Sequence, residues 1–398
     1  MRLTELESRM LRASEGESTR KAMRLLTGLG DFYGADRLIP VGSCQISGVS
    51  YKTGGEALIS VLETMVAEGV TVSVPSYLNP AGMDLCEWEA MGICSEFAGK
   101  QKTIISLYKT MGIKALCSCT PYNVVKPPRL GEHVAWGESS AVAYCNSVLG
   151  AKTNREGALS ALASAIIGKT PNYGLHLDKN RAPTHRFEVR FEMEELDFPI
   201  LGKHIGREVK GGIPFISGIH EARPWQLKAL GAAMAATGSV ALFHMEGITP
   251  EAHMHARSRS KTKVITQNVI EKIRRSERTK VQADLVVFGC PHCDIEELEA
   301  IAGLLGGRKV AKGINLWVFV PRALLARPKA KAATKAITKA GGSVFCDTCC
   351  VVSPLEDMGF KGVMTNSGKA SVYLKNLSGT PPVLASTEDC VRHATIGV

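Results

Sequence analysis

Short apolar runs alternate along this chain with longer stretches in which apolar residues recur at helical spacing. Runs that are apolar on both faces and bounded by Gly or Pro are typical of parallel strands buried beneath helices. They predict strands over residues 70–75, 114–119, 239–245, 283–289, 316–320 and 343–345. The longer stretches predict helices over residues 56–68, 138–149, 155–167, 225–237, 295–305 and 328–340. This alternation predicts an α/β fold with more than one mostly parallel sheet.

Size and composition are those of an ordinary globular protein. A chain of 398 residues with 45% hydrophobic residues can form two or three packed lobes. Candidate boundaries lie near residues 168–183 and 250–280. Residues 1–16 predict an amphipathic helix and lack the apolar core and cleavage site of a signal peptide. Since no apolar run approaches the length of a membrane helix, we expect a cytoplasmic protein without membrane contact.

Part of the formal net charge of +10 is concentrated in residues 253–280. A basic segment can bind nucleic acid. This one has no aromatic residue for base stacking, and it places Ile265, Val269 and Ile273 at helical spacing. A solvated helix face is therefore the preferred interpretation, and we expect no nucleic-acid partner. The charge can also steer a small anionic substrate towards the protein.

Three of the twelve cysteines, Cys119, Cys290 and Cys349, lie at the ends of predicted strands. In open α/β sheets, the carboxyl ends of the strands form the edge at which ligands bind. Cys290 also precedes a helix start with a capping signal at Asp294 and Glu297, and a helix N-terminus lowers the pKa of a nearby thiol. Because a reducing compartment disfavours disulfides, this cysteine content indicates either metal ligation or an anaerobic host in which buried thiols are safe. Most of the twelve are expected to be small buried hydrophobic residues.

Zinc is the alternative to iron. Cys290 with Cys293, and Cys346 with Cys349, form two C-x2-C pairs. A zinc ribbon separates such pairs by about 15–20 residues, whereas these two pairs are much further apart. From spacing alone, an iron–sulfur cluster, a zinc site and buried structural cysteines all stay open.

Several turns combine small residues with the start of a predicted helix, a combination that suits anions. Residues 79–82 predict one such helix start, with Asn79 as N-cap and Pro80 at the first helical position. Each feature alone is more often an ordinary turn or cap, so their number carries the argument. His133 and His292 each neighbour one of these motifs and are candidates for a supporting role. The candidate anion-binding residues are Gly48, Val49, Ser50, Asn79, Pro80, Glu138, Ser139 and Lys369.

Taken together, these motifs resemble the aconitase X family. The segment from Cys119 onwards begins CTPYNVVKPPRLGEHVAWGESS, and its companions are SGVSYKTGG (47–55), VPSYLNPAGMDL (74–85), FGCPH (288–292), DTC (347–349) and TNSGK (365–369). The resemblance covers nearly the whole chain in the expected order. It implies an aconitase-like fold in which three α/β domains with mostly parallel sheets surround an iron–sulfur cluster. The approximate lobes are then 1–170, 171–280 and 281–398.

The resemblance also implies a hydro-lyase. Archaeal two-chain members of the family dehydrate (R)-5-phosphomevalonate to trans-anhydromevalonate 5-phosphate in a modified mevalonate pathway of isoprenoid biosynthesis. Other members dehydrate cis-3-hydroxy-L-proline, which is the first alternative. The chain resembles the separate large subunit, so the swivel domain is expected as a small partner subunit in a heterodimer. A zinc-stabilised nucleic-acid-binding protein, based on the basic segment and the C-x2-C pairs, is the alternative of another class.

Carried over by motif, the resemblance implies that Cys119, Cys290 and Cys349 hold a 4Fe–4S cluster, with Cys117 and Cys350 as neighbouring alternates. The candidate anion-binding residues would contact a phosphorylated substrate. The open iron would act as a Lewis acid on the leaving hydroxyl, and the base would be a serine of the small subunit. Cys44 departs from the family pattern before the first turn, which affects the expected shape of the pocket.

Overall fold

The computed structural model describes residues 1–12, 16–256, 261–276 and 281–396. The helices are α1 (Glu5–Leu11), α2 (Glu17–Phe32), α3 (Tyr51–Ala67), α4 (Ser95–Thr110), α5 (Ser139–Ser147), α6 (Ala158–Ile167), α7 (Asp197–Val209), α8 (Pro224–Gly238), α9 (Ala252–His255), α10 (Gln267–Ser276), α11 (Ile295–Leu305), α12 (Pro328–Ala340), α13 (Gly368–Leu377) and α14 (Thr387–Ile396). The strands are β1 (Leu38–Pro40), β2 (Cys44–Ile46), β3 (Ser76–Leu78), β4 (Ala135–Trp136), β5 (Lys169–Pro171), β6 (His185–Val189), β7 (Pro214–Ser217), β8 (His244–Met245), β9 (Thr262–Ile265), β10 (Leu285–Phe288), β11 (Asn315–Val320), β12 (Ser343–Cys346), β13 (Val363–Thr365) and β14 (Pro382–Leu384). None of the helices in these ranges is long and apolar enough to span a membrane.

The largest sheet, here named the C-terminal sheet, has five parallel strands in the order β12-β11-β10-β13-β14. Its order reverses at β10, because the chain continues to β11 and β12 on one side and to β13 and β14 on the other. At such a switch point a crevice opens at the carboxyl ends of the strands. Cys290 follows β10 directly, so the fold places this thiol beside the crevice.

Alternate residues of β10 enter two separate cores, as the period of a strand requires. Val286 and Phe288 pack with residues of α11, α12 and α14. Leu285 and Val287 pack with residues of α13 and with apolar side chains from residues 83–98. The second core therefore joins the C-terminal sheet to a segment from the N-terminal part of the chain.

Two smaller parallel sheets precede the C-terminal sheet. The N-terminal sheet has the order β3-β2-β4, and its central strand β2 is buried at every position beneath α2, α3 and α6. The middle sheet has the order β8-β7-β6-β9 and packs under α7 and α8. A separate antiparallel pair joins β1 to β5. The predicted α/β class with mostly parallel sheets is confirmed.

Most of the predicted helices are confirmed. The predictions over 295–305 and 328–340 match α11 and α12 from end to end. Asp294 and Glu297 form the predicted capping box, and Gly341 ends α12 in the left-handed conformation. The prediction over 56–68 matches the part of α3 that follows a break at Gly55, where φ is 55°.

Two strand predictions in the N-terminal half are wrong. Residues 70–75 form no strand, because their backbone bonds to other segments: Ser73 N–H, for example, donates to Ala165 O at the end of α6. Residues 114–119 run beside β3, and Leu78 N–H donates to Lys114 O, but no strand forms. Cys117 has φ of 44°, which turns the chain out of the extended conformation.

The strand predicted over 239–245 is largely wrong for a similar reason. Ser239 ends α8 with φ of 55°, and only β8 is extended within this stretch. The strands predicted over 283–289, 316–320 and 343–345 are confirmed as β10, β11 and β12. The three central and edge strands β10, β11 and β12 of the C-terminal sheet were therefore predicted, whereas β6 and β7 of the middle sheet were not, although they have five and four residues.

Candidate active site

The carboxyl edges of the N-terminal and C-terminal sheets are in contact. Ala81 N–H, after β3, donates to Asp347 O, after β12, over 2.7 Å. Ser50 Oγ, after β2, donates to Val352 O at 2.9 Å. Ligands of α/β proteins bind outside the carboxyl ends of parallel strands. This junction joins two such edges and is therefore the candidate site.

Every predicted site residue lies at the junction or next to it. The turn with Gly48, Val49 and Ser50 follows β2, Asn79 and Pro80 follow β3, Glu138 and Ser139 follow β4, Cys290 follows β10, Cys349 follows β12, and Lys369 follows β13. Cys119 alone follows no strand, but the segment before it is bonded to β3, since Ser118 N–H donates to Leu78 O at 3.1 Å.

The first turn is shaped for close approach. Gly48 has φ of 71°, and a Cβ placed there would lie 3.1 Å from Ala158 Cβ, so glycine is required. Val49 and Ser50 are each 1% exposed, whereas Gly48 is exposed. The turn thus offers backbone rather than side chains to a ligand.

The helix start predicted at Asn79 is wrong. No helix follows it, because Ala81 instead pairs with Thr348 in an isolated parallel bridge. Asn79 Oδ1 is buried and has no hydrogen-bond partner within the part of the chain that the structure describes. Buried polar atoms of native proteins are nearly always paired, so this oxygen is an acceptor that a ligand can use.

The three candidate thiols are buried and close together. Cys119 is 3% exposed, and Cys290 and Cys349 are each 6% exposed. All three are free thiols. The Cys290 thiol contacts both Cys349 and Cys350, and Cys119 interacts electrostatically with Cys349. Thiols from three distant segments of the chain therefore gather at one place.

Without a bound metal these thiols hold their protons. Burial raises the pKa of Cys119, and the charges of Glu138 and Cys349 raise it further. The hydrogen bond with Cys290, together with burial, raises the pKa of Cys349. The hydrogen bond with Cys349 lowers the pKa of Cys290, but contact with Cys350 and burial outweigh it. Metal binding here must therefore release protons.

The two C-x2-C pairs are split between different cores. Cys290 and Cys349 lie in the core that includes residues 83–98, whereas Cys293 and Cys346 lie in the core beneath α11 and α12. Among the described residues, no group of three or more His, Cys, Asp or Glu side chains is arranged to hold a metal ion. The pairs therefore do not converge in the manner of a zinc ribbon.

His292 connects the three segments that carry the thiols. Its main-chain N–H donates to Cys119 Sγ at 3.1 Å. In the ring, Nδ1 lies 3.2 Å from Ser118 Oγ and Nε2 lies 2.7 Å from Thr348 O. Its carbonyl oxygen accepts from Lys228 Nζ at 2.9 Å. Burial lowers the pKa of this fully buried imidazole to about 4, so it is neutral at neutral pH.

A buried ion pair of Lys369 with Glu138 lies beside the thiols, and its side chains are 9% and 5% exposed. Burial opposes the charge on each group, but the partner outweighs it: the pKa of Glu138 is lowered and that of Lys369 is raised. Both groups are therefore charged at neutral pH. The Lys369 charge also lowers the pKa of each of the three candidate thiols, which favours thiolates.

Glu138 is fixed by the helix that it starts. As N-cap of α5, it accepts from Ala141 N–H at 2.7 Å and from the hydroxyl of Ser140 at 2.5 Å. Ser139 Oγ donates to its other oxygen at 3.3 Å. The helix start predicted at Glu138 is thus confirmed, and its carboxylate serves both the helix and Lys369.

The sequence matches a known protein family over nearly the whole chain. The family models for the Aconitase X first, second and third domains match residues 1–179, 183–278 and 283–396 in order. The chain belongs to the aconitase X family.

Named relatives in this family share most of their length with the chain. The phosphomevalonate dehydratase large subunit of Methanocaldococcus jannaschii is 45% identical over 98% of this chain and 100% of the relative. The cis-3-hydroxy-L-proline dehydratase of Pseudomonas aeruginosa is 31% identical over 100% of this chain and 70% of the relative. A crystal structure titled Thermococcus kodakaraensis aconitase X (holo-form) has a TM-score of 0.92 at 40% identity, over 99% of this chain and 100% of that one. The predicted aconitase-like fold is confirmed.

The donor set of this aconitase X chain fits an iron–sulfur cluster. Such clusters are held by thiolates. Because a cluster contains several irons, Cys119, Cys290 and Cys349 would hold it without converging on one ion. Asn79 Oδ1 and the buried hydroxyl of Tyr122 have no partner among the described residues, and Tyr122 interacts with the charges of Cys119 and Glu138. The free thiols and the unpaired hydroxyl of Tyr122 thus lie together, as expected around a cluster and its substrate.

Two residues that shape the site escaped the sequence analysis. Gln101 of α4 is fully buried: its Oε1 accepts from Tyr51 N–H and Gly82 N–H at 2.9 Å each, and its Nε2 donates to Val49 O at 3.0 Å. A polar residue on the apolar side of an amphipathic helix was the available signal. Lys228 of α8 is also buried and pairs with Glu297.

Two other candidate features lie away from the thiols. His133 Nδ1 is 2.9 Å from His176 Nδ1, and this pair neighbours Lys152 and Asp178 rather than a cysteine. The basic segment forms β9 and α10, and Arg274 pairs with Asp197 at 2.7 Å. Residues 257–260 and 277–280 of that segment lie outside the described residues.

Proposed function

We propose that this aconitase X chain is the large subunit of a hydro-lyase that dehydrates (R)-5-phosphomevalonate to trans-anhydromevalonate 5-phosphate in an archaeal-type mevalonate pathway. The observation that carries this proposal is the gathering of three buried free thiols beside the buried Lys369–Glu138 pair. The chain is also 34–45% identical, over most of its length, to five relatives named phosphomevalonate dehydratase large subunit.

The proposed cofactor is a 4Fe–4S cluster held by Cys119, Cys290 and Cys349. When bound, it supplies an open iron as a Lewis acid for the departing hydroxyl group. Cys350 also contacts Cys290, so it is the neighbour against which the assignment of Cys349 must be tested. The thiols are nearly closed to solvent, which protects an oxidisable cofactor from bulk oxidants.

The other site residues bind and orient the substrate. Lys369 offers an ammonium group to a carboxylate or phosphate, and Glu138 keeps that ammonium charged and in place. The turn at Gly48, Val49 and Ser50 offers backbone N–H groups, and Asn79 Oδ1 offers an unused acceptor. Pro80 and Ser139 complete the proposed contact set. Fixing one substrate orientation against these groups accounts for much of the expected rate gain.

The proposed partner is a small swivel-domain subunit that supplies the proton-abstracting base, a serine. The term "large subunit" in the names of the relatives supports a second chain. The hydroxyproline dehydratase relatives are longer, since the chain covers 67–70% of their length. The extra length of those relatives is consistent with a further domain.

The test is an anaerobic co-purification of this chain with the small subunit from the same source. The complex is assayed with (R)-5-phosphomevalonate and with cis-3-hydroxy-L-proline, and products are identified by mass spectrometry. We expect dehydration of phosphomevalonate only when both chains are present. Turnover of hydroxyproline instead would establish the second candidate, which the 31–32% identical relatives support. Full turnover by this chain alone would show that the base lies within it.

A further inference from the structure

Each hydrogen-bonding partner of the His292 ring lies next to a candidate ligand. Ser118 adjoins Cys119 and Thr348 adjoins Cys349, while His292 itself lies two residues after Cys290. We propose that His292 is a positioning residue that holds the segments 118–119, 290–292 and 348–349 in the arrangement that receives one cluster. This inference rests on the proposed cluster-binding role of the three thiols.

The ring has a defined orientation because one partner can act in only one way. Thr348 O is a carbonyl and only accepts, so the ring proton of the neutral imidazole lies on Nε2. Nδ1 then accepts from the hydroxyl of Ser118, whose oxygen in turn accepts from Thr120 N–H at 3.1 Å. The bonds run in one direction from the Cys119 segment through His292 to the Cys349 segment, so the ring acts as a spacer of fixed length.

The main chain of His292 is held as firmly as its ring. Its N–H donates to Cys119 Sγ, and its carbonyl accepts from Lys228, which is 3% exposed and pairs with Glu297 at the start of α11. Lys228 lies on α8, which packs against the middle sheet. The N-terminal, middle and C-terminal sheets therefore each have a neighbouring residue in contact with His292. An N–H bond to sulfur also stabilises a thiolate ligand.

Two substitutions separate the two ring bonds. His292→Gln keeps a donor that can reach Thr348 O and removes the acceptor for Ser118, whereas His292→Asn keeps an acceptor near Ser118 and removes the reach to Thr348. His292→Ala removes both bonds. His244→Gln is the matched control, because His244 is equally buried and its Nε2 lies 2.7 Å from Arg181 O, away from the thiols.

The first readout is the alkylation rate of each cysteine in the metal-free full chain, measured with iodoacetamide and mass spectrometry. The thiols are nearly closed to solvent, so alkylation reports local opening of their segments. We expect His292→Gln to raise the rate at Cys119, and His292→Asn to raise it at Cys349, each by about fivefold for one lost buried hydrogen bond. His244→Gln should leave both rates unchanged.

The second readout is the release of iron to a chelator from the anaerobic complex with the small subunit. Loss of a group that supports the ligands typically weakens metal binding about 10–100-fold, so His292→Ala should release iron that much faster than the wild type. The His244→Gln complex should match the wild type.

The inference is overturned if alkylation changes equally at all cysteines in every His292 variant, or at none. It is also overturned if His292→Ala retains iron as the wild type does. If the site-specific alkylation pattern appears but the wild-type complex contains no iron, the positioning role stands and the proposed function fails. The two proposals are thus distinguishable.

Discussion

The candidate site has two halves, which differ in how their buried polar groups are stabilised. The thiol half contains Cys119, Cys290 and Cys349 around the neutral ring of His292, and the side chains of these four residues are uncharged in the metal-free chain. The charged half contains Lys369 and Glu138, which compensate each other's charge. Each half draws on both sheets. The segment before Cys119 is bonded to β3 of the N-terminal sheet, whereas Cys290 and Cys349 follow strands of the C-terminal sheet. Glu138 follows β4 of the N-terminal sheet, and Lys369 follows β13 of the C-terminal sheet.

The difference shows which half depends on a bound group. The ion pair is complete within the protein, since each charge has its partner and both groups stay ionised at neutral pH. The thiols have raised pKa values and gain a thiolate form only when a cation replaces their protons. We therefore infer that the charged half is preformed for the substrate and that the thiol half is completed by its cofactor.

The largest expected effect comes from removing a ligand in the thiol half. Cys290→Ala should abolish both turnover and the visible absorbance of the anaerobic complex, because the cluster loses one of its three protein ligands. Cys293→Ala is the matched control: this neighbouring thiol is buried in the other core and should keep both properties. An active, iron-loaded Cys290→Ala complex would show that Cys290 is not a ligand of the cluster.

Breaking the charged half should be nearly as severe for activity. Lys369→Met leaves Glu138 buried without its cation, and we expect a loss of about 10²–10³-fold in kcat/KM. It should also lower the free energy of unfolding of the metal-free chain by about 3–5 kcal/mol. Steady-state kinetics measures the change in kcat/KM, and urea unfolding measures the change in the free energy of unfolding.

The double variant Glu138→Gln with Lys369→Met sharpens this result. Removing both charges should recover much of the lost stability, since replacing a whole buried pair is often near neutral. It should recover none of the activity, because the substrate still lacks its cation. Recovery of activity would show that Lys369 acts only as the partner of Glu138.

The pH dependence of stability should come from buried neutral histidines and not from the ion pair of Glu138 with Lys369. The pKa of Glu138 lies below 4.5 and the pKa of Lys369 lies above 10.5. The ion pair therefore does not make the free energy of unfolding depend on pH between these two values. Burial lowers the pKa of His176 to about 3 and the pKa values of His244 and His292 to about 4. Below the ordinary value of 6.5, the unfolded chain binds protons that the folded chain does not. As the pH is lowered below 6.5, the free energy of unfolding should thus decrease by about 1.4 kcal/mol per pH unit for each histidine.

Urea unfolding of the metal-free chain at pH 7 and near pH 5 measures this slope, and His176→Asn should reduce it. Equal stability at the two pH values would contradict the burial of neutral histidines.

The smallest expected effect concerns the residue that joins the two halves. Ser367 is the N-cap of α13: its hydroxyl accepts from Ala370 N–H at 3.0 Å and also donates to Cys290 O. Ser367→Ala should cost about 1 kcal/mol of stability. Ser378→Ala, at the other end of α13, should have a smaller effect. If the two variants were equally stable in thermal unfolding, Ser367 would not couple the halves.

The fold was predictable where a strand lies within a continuous apolar run. β10 and β11 are such runs, and the helices that follow them carry clear caps. β2, β3 and β4 are only two or three residues long, which is too short for a periodic signal. The positive φ of Cys117 breaks an apolar run that reads as a strand. The pattern of apolar and polar residues around Cys117 does not indicate this left-handed backbone conformation.

The candidate site was predictable as a set of motifs and not as a set of contacts. Glu138 and Lys369 each lie in a recognisable turn, but their pairing joins residues 231 positions apart. The position of His292 next to Cys290 was visible, whereas its bonds to Ser118 and Thr348 depend on how the sheets meet. Contacts of this kind arise from tertiary packing, which a single sequence does not record.

Iron and acid-labile sulfide analysis of the anaerobic complex tests the central claim most directly. We predict similar amounts of iron and sulfide in the wild type and in Cys350→Ser, and loss of both in Cys119→Ser, Cys290→Ser and Cys349→Ser. Zinc without sulfide in the wild type, or a cluster that survives in Cys349→Ser but not in Cys350→Ser, would contradict it.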